Sequence, residues 1–280
     1  MTAATVKVCT WNVNSLRARL PRVLEMLDKH APDVALLQET KVAPDQYPDA
    51  ELQAAGYDSV HHSGGQWAGV AILARSGLGL GGEVAGLPGE IRGDEARWIE
   101  AEVPGLGVRV ASVYVVNGRE VDSPTFEEKL TFLDAMAVRA GELRSGAFIL
   151  GGDFNVAPAD ADVYDPAAFA GATHVTPDER SRLQALLAAG RLVDAYAARP
   201  APDTNRFTWW DYRAGNFHKN LGLRIDLLLV SERLDGLGLG QGAQLERFLR
   251  GDQRGHAGRF LRVVVVTPGM CQRCRTVLGE

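Results

Sequence analysis

No run of apolar residues in this 280-residue chain approaches the roughly 20 that a bilayer-crossing helix needs. The opening Met1-Thr2-Ala3-Ala4-Thr5 also lacks a basic region followed by an apolar stretch, so a cytoplasmic protein is expected. Cysteine is scarce, at three residues, which excludes a disulfide-stapled scaffold. Cys9 falls inside an apolar strand pattern, and Cys271 and Cys274 form a lone C-x-x-C. Zinc needs two more ligands than that pair supplies, so 269–280 reads as a solvated tail with two incidental thiols. Positive charge is not in excess: 30 Lys plus Arg against 35 Asp plus Glu leave a net charge of −5, which argues against indiscriminate adhesion to polyanions. There is no G-x-S-x-G elbow, Walker-type loop or dinucleotide fingerprint, so acyl transfer, nucleoside-triphosphate chemistry and hydride transfer lack support. Repeats of fixed period and linkers rich in Pro, Gly or Ser are missing as well.

What is present is enough apolar material, 46% of residues, for a large core. Strand-like runs occur at 6–11, 33–37, 69–74, 97–103, 108–116, 147–150, 207–210, 224–230 and 260–267. Leu20, Val23, Leu24 and Leu27 recur at helical spacing between the first two runs, giving a strand-helix-strand unit. Ser123-Pro124 opens a long helix with Phe126, Leu130, Leu133 and Ala137 on one face, weakened towards its end by Gly141. Thr176-Pro177-Asp178-Glu179 combines a capping box with proline at the first helical position, and Gly190 follows as a stop. The glycine-rich stretches 77–93 and 236–242 read as loops. Together these features predict one α/β domain over 1–268, with sheets packed face to face and helices outside.

Polar residues that do little for folding interrupt or end the apolar runs at distant points: Asn12, Asn14, Glu39, Tyr114, Asn117, Asp153, Asn155 and Asp226. In Gly151-Gly152-Asp153-Phe154-Asn155 a carboxylate and a carboxamide arrive together at a strand's end. They face the same way if the extended geometry persists, and the two glycines let a ligand approach the backbone. Asp226 interrupts a run that otherwise reads as fully buried, so a cation, a hydrogen-bond network, or pairing with Arg224 or a histidine has to hold it. The set is mostly hard oxygen donors plus carboxamides, which suits Mg²⁺ and the hydrolysis of phosphoesters. Arg17, Arg19 and Arg22 crowd one segment, and Arg213, Lys219 and Arg224 another; they read either as solvated faces or as contacts to phosphate.

Six segments, in order, carry a family resemblance: Trp11-Asn12-Val13-Asn14-Ser15-Leu16-Arg17, Leu37-Gln38-Glu39-Thr40-Lys41, Tyr114-Val115-Val116-Asn117-Gly118, the Asp153 segment, Phe207-Thr208-Trp209-Trp210-Asp211-Tyr212-Arg213, and Gly222-Leu223-Arg224-Ile225-Asp226 with the leucines that follow. With them the chain resembles the exonuclease III family of apurinic/apyrimidinic endonucleases, in the endonuclease/exonuclease/phosphatase superfamily. The resemblance implies a four-layered α/β sandwich, two mixed sheets flanked by helices as in pancreatic deoxyribonuclease. It also implies Mg²⁺-dependent cleavage of duplex DNA 5′ to abasic sites with 3′→5′ exonuclease activity, Mn²⁺ as a substitute, and action as a monomer on abasic or damaged DNA. By the same resemblance Asn12 and Glu39 hold or orient the metal, with Glu39 as its main carboxylate ligand. Asp153 aligns or deprotonates the attacking water, Asn155 and Asn117 contact the phosphate, Tyr114 assists the departing oxygen and Asp226 positions the site. Asn14, Arg17, Lys41, Arg213 and Arg224 are implied on the substrate. Trp209 presents an aromatic face where a base is missing, with core packing as the rival role for it and for Trp210.

One element departs from the pattern. The family's S-D-H-A-P is replaced by Arg254-Gly255-His256-Ala257-Gly258, so the catalytic His256 keeps its place without the acid that orients it. Slower turnover is the expectation, with restored acidity in Gly255→Asp raising it. Two other readings stand beside the nuclease: a superfamily phosphodiesterase or phosphatase of another substrate class, and a damaged-DNA-binding protein with impaired catalysis.

Overall fold

The computed structural model describes residues 4–93, 95–198, 207–211, 215–235, 244–247 and 259–267, the last two segments as backbone. The first sheet is built from β1 (Ala4–Asn12), β2 (Val34–Gln38), β3 (Tyr57–His62), β4 (Val70–Arg75), β13 (Gln244–Arg247) and β14 (Arg259–Thr267), in the order β13-β14-β1-β2-β4-β3. The second contains β5 (Gly81–Ala85), β6 (Trp98–Val103), β7 (Val108–Tyr114), β8 (Phe148–Asp153), β9 (Leu192–Asp194) and β12 (Asp226–Ser231), in the order β5-β6-β7-β8-β12-β9. A small ribbon pairs β10 (Trp209–Trp210) with β11 (Gly222–Leu223). The helices are α1 (Leu16–His30), α2 (Asp49–Ala54), α3 (Pro124–Leu143), α4 (Pro177–Gly190), α5 (Asn216–Lys219) and α6 (Glu232–Asp235).

Each sheet contains one parallel pair bridged by a long helix, β1 to β2 through α1 and β7 to β8 through α3. Both pairs end their strands at the same edge of the molecule, and that edge holds the site. Between the sheets, Val8, Leu36 and Ile72 pack against Ala101, Val110, Ile149 and Leu228. The outer faces are covered separately. Val23, Met26 and Leu27 of α1 meet Ala35, Leu37 and Leu73, while Phe132, Met136, Leu183 and Leu186 of α3 and α4 cover Leu150, Leu227 and Leu229. The result is the expected four-layered α/β sandwich.

Start signals read from sequence operate as such. Ser123 Oγ accepts from Phe126 N at the head of α3, and Thr176 and Glu179 close a reciprocal capping box on α4, each arrangement contributing about 1 kcal/mol. The stop on α4 acts differently from the expectation. Gly190 is the helix's last residue, the left-handed cap is Arg191 (φ 48°), and a Cβ on Gly190 would lie 2.9 Å from Ala140 Cβ. Close approach of α3 to α4, rather than chain reversal, requires glycine there. The stretch 77–93 also differs from its reading as loop, because β5 lies within it as a solvent-facing edge strand with a bulge between Gly81 and Val84. An edge strand held by backbone pairing to β6 alone has no apolar alternation to announce it. No described helix is long and apolar enough to cross a membrane. The stretch 236–242, the tail with Cys271 and Cys274, and His256, Gly255 and Arg213 lie outside the described residues.

Candidate active site

β1 and β2 run parallel with Asn12 opposite Gln38, so Asn12 and the next residue of the second chain segment, Glu39, emerge side by side from the first sheet. In the second sheet Tyr114 pairs with Asp153 across β7 and β8, and Asp153 pairs with Asp226 across β8 and β12. Five strand ends from two sheets therefore deliver five of the expected residues to one place. Asn12 joins the two groups: its Nδ2 donates to Glu39 Oε1 at 2.6 Å and to Asp153 Oδ2 at 3.0 Å. Its Oδ1 accepts from Asn14 N at 3.1 Å, which makes Asn12 the residue that orients both carboxylates. Lys41 Nζ bridges Glu39 Oε2 and Asn14 Oδ1, each at 2.6 Å. Behind Glu39 a buried polar thread ties the sheets together, Thr10 Oγ1 to Gln38 Oε1 and Gln38 Nε2 to Ser112 Oγ, the latter 2.9 Å.

The loops that leave the strands are bent into left-handed backbone at Asn14 (φ 43°), Glu39 (φ 51°), Lys41 (φ 49°) and Asn155 (φ 50°). Such conformations are sparsely populated by non-glycine residues and are held here by the surrounding hydrogen bonds. Extended geometry thus stops at Asp153, and strand alternation does not place Asp153 and Asn155 on one face. They are joined instead by a turn in which Asn155 N donates to Asp153 Oδ1 at 3.0 Å. Asn155 Nδ2 donates to Val115 O at 2.9 Å, and its Oδ1 accepts from Asn117 Nδ2 at 3.2 Å, so the two carboxamides form one unit. Gly151 and Gly152 correct a second expectation. A Cβ on Gly151 would lie 2.6 Å from Leu36 Cδ1, and one on Gly152 only 1.9 Å from Val113 O. The glycines admit neighbouring protein, leaving no space for a ligand.

Negative charge dominates the centre. Burial, then the charge of Glu39, pushes the Asp153 carboxyl up to about 7, against the hydrogen bonds from Asn12 and Asn155 and the Lys129 charge. Asp226 is raised well above the carboxylate range by burial and then by Asp153, while the Thr208 side chain opposes the shift. Its Oδ1 has no hydrogen-bond partner among the described residues. Burial, Glu39 and Asp153 likewise raise the Tyr114 phenol far above its ordinary value, against Arg97, whose guanidinium lies 4.8 Å from the ring centre.

Three expected residues fall elsewhere or at the margin. Arg224 is no phosphate contact and no partner of Asp226: it is 1% exposed, clamped by Asp162 at 2.8 and 3.0 Å and by Asp194 at 2.8 Å, over the Tyr196 ring. Two carboxylates far away in sequence neutralise it inside the fold. Arg17 is exposed in the first turn of α1, where Nη1 donates to Gln46 Oε1. Trp209 is 39% exposed, whereas Trp210 is buried edge-on against Phe217 in a packing role. Sequence reasoning missed His174. Its Nδ1 bonds the carbonyl of Asn155 at 2.6 Å, and its ring lies 6.4 Å from that of Trp209. A lone histidine in a loop carries no periodic or motif signal.

Similarity to known proteins agrees with this geometry. Residues 9–242 match the model of the Endonuclease/Exonuclease/phosphatase family. A structure described as a 3′-5′ exonuclease (NExo) from Neisseria meningitidis is 38% identical, with a TM-score of 0.84 over 94% of this chain and 100% of the other. An AP endonuclease from Archaeoglobus fulgidus is 28% identical, with the same TM-score and the same coverage of both chains. Exodeoxyribonuclease III of Haemophilus influenzae is 29% identical over 244 residues, 82% of this chain and 89% of its own. With the sandwich, the strand-end carboxylates and the carboxamide pair already in place, these similarities establish that the chain belongs to the Endonuclease/Exonuclease/phosphatase family of hydrolases.

Proposed function

We propose that the protein is a Mg²⁺-dependent DNA-repair phosphodiesterase that cuts duplex DNA 5′ to abasic sites and trims 3′ ends. The observation that carries the reading is the convergence of Asn12, Glu39, Asp153 and Asp226 from two sheets on one point, with Asp226 Oδ1 left without a hydrogen-bond partner among the described residues. The family is metal-dependent, and the donors fit a hard cation: carboxylates of Glu39 and Asp153 brought together by a carboxamide. No three His, Cys, Asp or Glu side chains among the described residues form a closed metal cage. Mg²⁺ needs none, because it keeps several waters and takes one or two protein carboxylates. When bound, it supplies charge neutralisation on the phosphate oxygens.

The chain's own residues account for the rest. Glu39 is the principal carboxylate ligand and Asn12 fixes its orientation. Asp153, poised at about 7, is matched to accept a proton from the attacking water near neutral pH. Asn117 uses one amide N–H in the mutual bond and Asn155 one on Val115 O, so each keeps a second N–H, and these donate to the phosphate. The phenol of Tyr114 stays protonated and donates to the departing oxygen. Asp226 holds the acidic environment around Asp153, Lys41 and Asn14 flank the substrate backbone, and Trp209 offers an exposed ring to the gap left by a missing base. Arg17 contacts backbone phosphate, so affinity falls as salt rises.

The relative described as a 3′-5′ exonuclease is more identical to this chain than the AP endonuclease, 38% against 28%, and a 3′ phosphatase from Neisseria bound to a product DNA hairpin is also 38% identical. That difference favours a second reading in which work at 3′ ends predominates. Incubating the full chain with three duplexes decides the matter: one with an internal abasic analogue, one with a recessed 3′ hydroxyl and one with a 3′ phosphate, each with Mg²⁺ and with chelator. A single Mg²⁺-dependent incision at the lesion supports the first reading, processing confined to 3′ ends the second, and inertness towards all three refutes both.

A further inference from the structure

Lys129 lies in α3, a helix whose other buried residues are apolar, and its side chain is completely inaccessible. Burying an ammonium is unfavourable, and a charge pair in a core is commonly no more stabilising than apolar residues of the same volume. α3 and α4 already have such a contact in Phe132, Met136, Leu183 and Leu186, so joining the two helices does not require it. The geometry of the ammonium indicates another purpose. Nζ bonds Glu179 at the head of α4, and from that anchor it also reaches Asn155 O at 2.7 Å, Thr173 Oγ1 at 3.1 Å and Asn117 O at 3.2 Å. The two carbonyls belong to separate loops, one following β7 and one following β8. They are the backbones of the two residues whose carboxamides are bonded to each other at the site.

The surroundings are built to keep Nζ there. Glu179 Oε1 also accepts from His174 N at 2.9 Å, and its Oε2 accepts from Thr176 N and Oγ1. Burial pushes Glu179 up, but the Lys129 charge and these hydrogen bonds outweigh it and hold the carboxyl below its ordinary value. Gly118, at φ 87°, leaves open the space that the lysine stem and Thr173 fill; a Cβ there would lie 3.0 Å from Lys129 Cδ and 2.9 Å from Thr173 Oγ1. His174 Nδ1 donates to the same Asn155 carbonyl at 2.6 Å.

We propose that Lys129 is a positioning residue of the hydrolase, whose ammonium, anchored by Glu179, pins the carbonyls of Asn117 and Asn155 and thereby sets the carboxamide pair against the scissile phosphate. The proposal rests on the nuclease reading and gives the buried pair a part in it. Lys129→Met alone would strand Glu179, so the test uses Lys129→Met/Glu179→Gln, which leaves no unpaired charge and keeps one side-chain oxygen to accept from Thr176 at the cap. With the abasic duplex and Mg²⁺, kcat falls about 100-fold, as for other misplacements on the ångström scale, with KM little changed. In an Asn117→Ala/Asn155→Ala background, where neither carboxamide remains to be set, the same double substitution changes kcat within about twofold, because all act through one unit. Thr173→Val, which removes a single member at constant volume, gives a smaller drop that also vanishes in that background, and it serves if the double variant does not fold. Wild-type kcat in these variants, or the full drop repeated without the two carboxamides, overturns the proposal alone. A wild-type protein that cleaves none of the duplexes overturns the nuclease reading and this inference with it.

Discussion

Asp153→Asn should make the metal-free protein more stable while removing its activity, and the size of the gain follows from the site. Folding buries Asp153 beside Glu39 and moves its carboxyl from 3.8 to about 7. The folded state therefore binds more protons than the unfolded one between those values, and stability falls as pH rises through that window. At pH 8 the ionised carboxylate opposes folding by about 4 kcal/mol, because each tenfold change in proton affinity between the two states is worth about 1.4 kcal/mol. Asparagine carries no charge but accepts only one of the two hydrogen bonds that Asn12 Nδ2 and Asn155 N now make, a loss of about 1 kcal/mol. The net expectation is a gain of about 3 kcal/mol at pH 8 that shrinks through pH 6 and disappears near pH 4. Urea denaturation of both proteins in chelator at pH 4, 5, 6, 7 and 8 measures it. Adding Mg²⁺ should then raise the midpoint of the wild type more than that of the variant, since a cation bound only by the folded state stabilises it by mass action. A stability difference that stays constant across the pH series would refute the argument that burial beside Glu39 raises Asp153 in this site.

Other substitutions separate function from folding. Glu39→Gln should leave the circular dichroism spectrum unchanged, weaken Mn²⁺ binding in a direct titration, and lower turnover at least about a hundredfold; full activity would remove Glu39 as the principal ligand. Arg224→Met strands the buried carboxylate of Asp162 and that of Asp194, and should destabilise the fold by about 3–5 kcal/mol. The salt dependence of DNA binding should not change in that variant, and weakened DNA binding at an unaltered Tm would reverse the assignment. Gly152→Ala drives a methyl into Val113 O, so soluble yield and Tm should both collapse; a well-folded variant would show that the strand pair has room to spare.

The candidate site was legible in sequence because its members sit where apolar runs end. Leu36-Leu37-Gln38-Glu39 and Ile149-Leu150-Gly151-Gly152-Asp153 each announce a buried strand and then a polar residue that contributes little to packing. The same logic failed where a residue's role depends on partners that are distant along the chain. Arg224 lies two residues from Asp226 and follows the motif, yet Asp162 and Asp194, 62 and 30 residues away, draw it into the core. Lys129 reads as one more polar position on a long helix. Only the approach of two loops and the cap of α4 reveals four oxygens around its nitrogen. The edge strands β3 and β5 escaped notice for a related reason, since backbone pairing rather than side-chain alternation defines them.

By itself, then, the sequence determined the alternation of strands and helices, the capped starts of α3 and α4, and the identity of the acids and amides at the strand ends. These depend on periodicity and on hydrogen bonds within a few residues. Tertiary structure alone decided that the strand ends of two different sheets share one edge, that Asn12 bridges Glu39 to Asp153 across them, and which basic residues are free to meet a phosphate. Charge and hydrogen-bond energies depend on distance and burial, and neither is fixed until the sheets have packed.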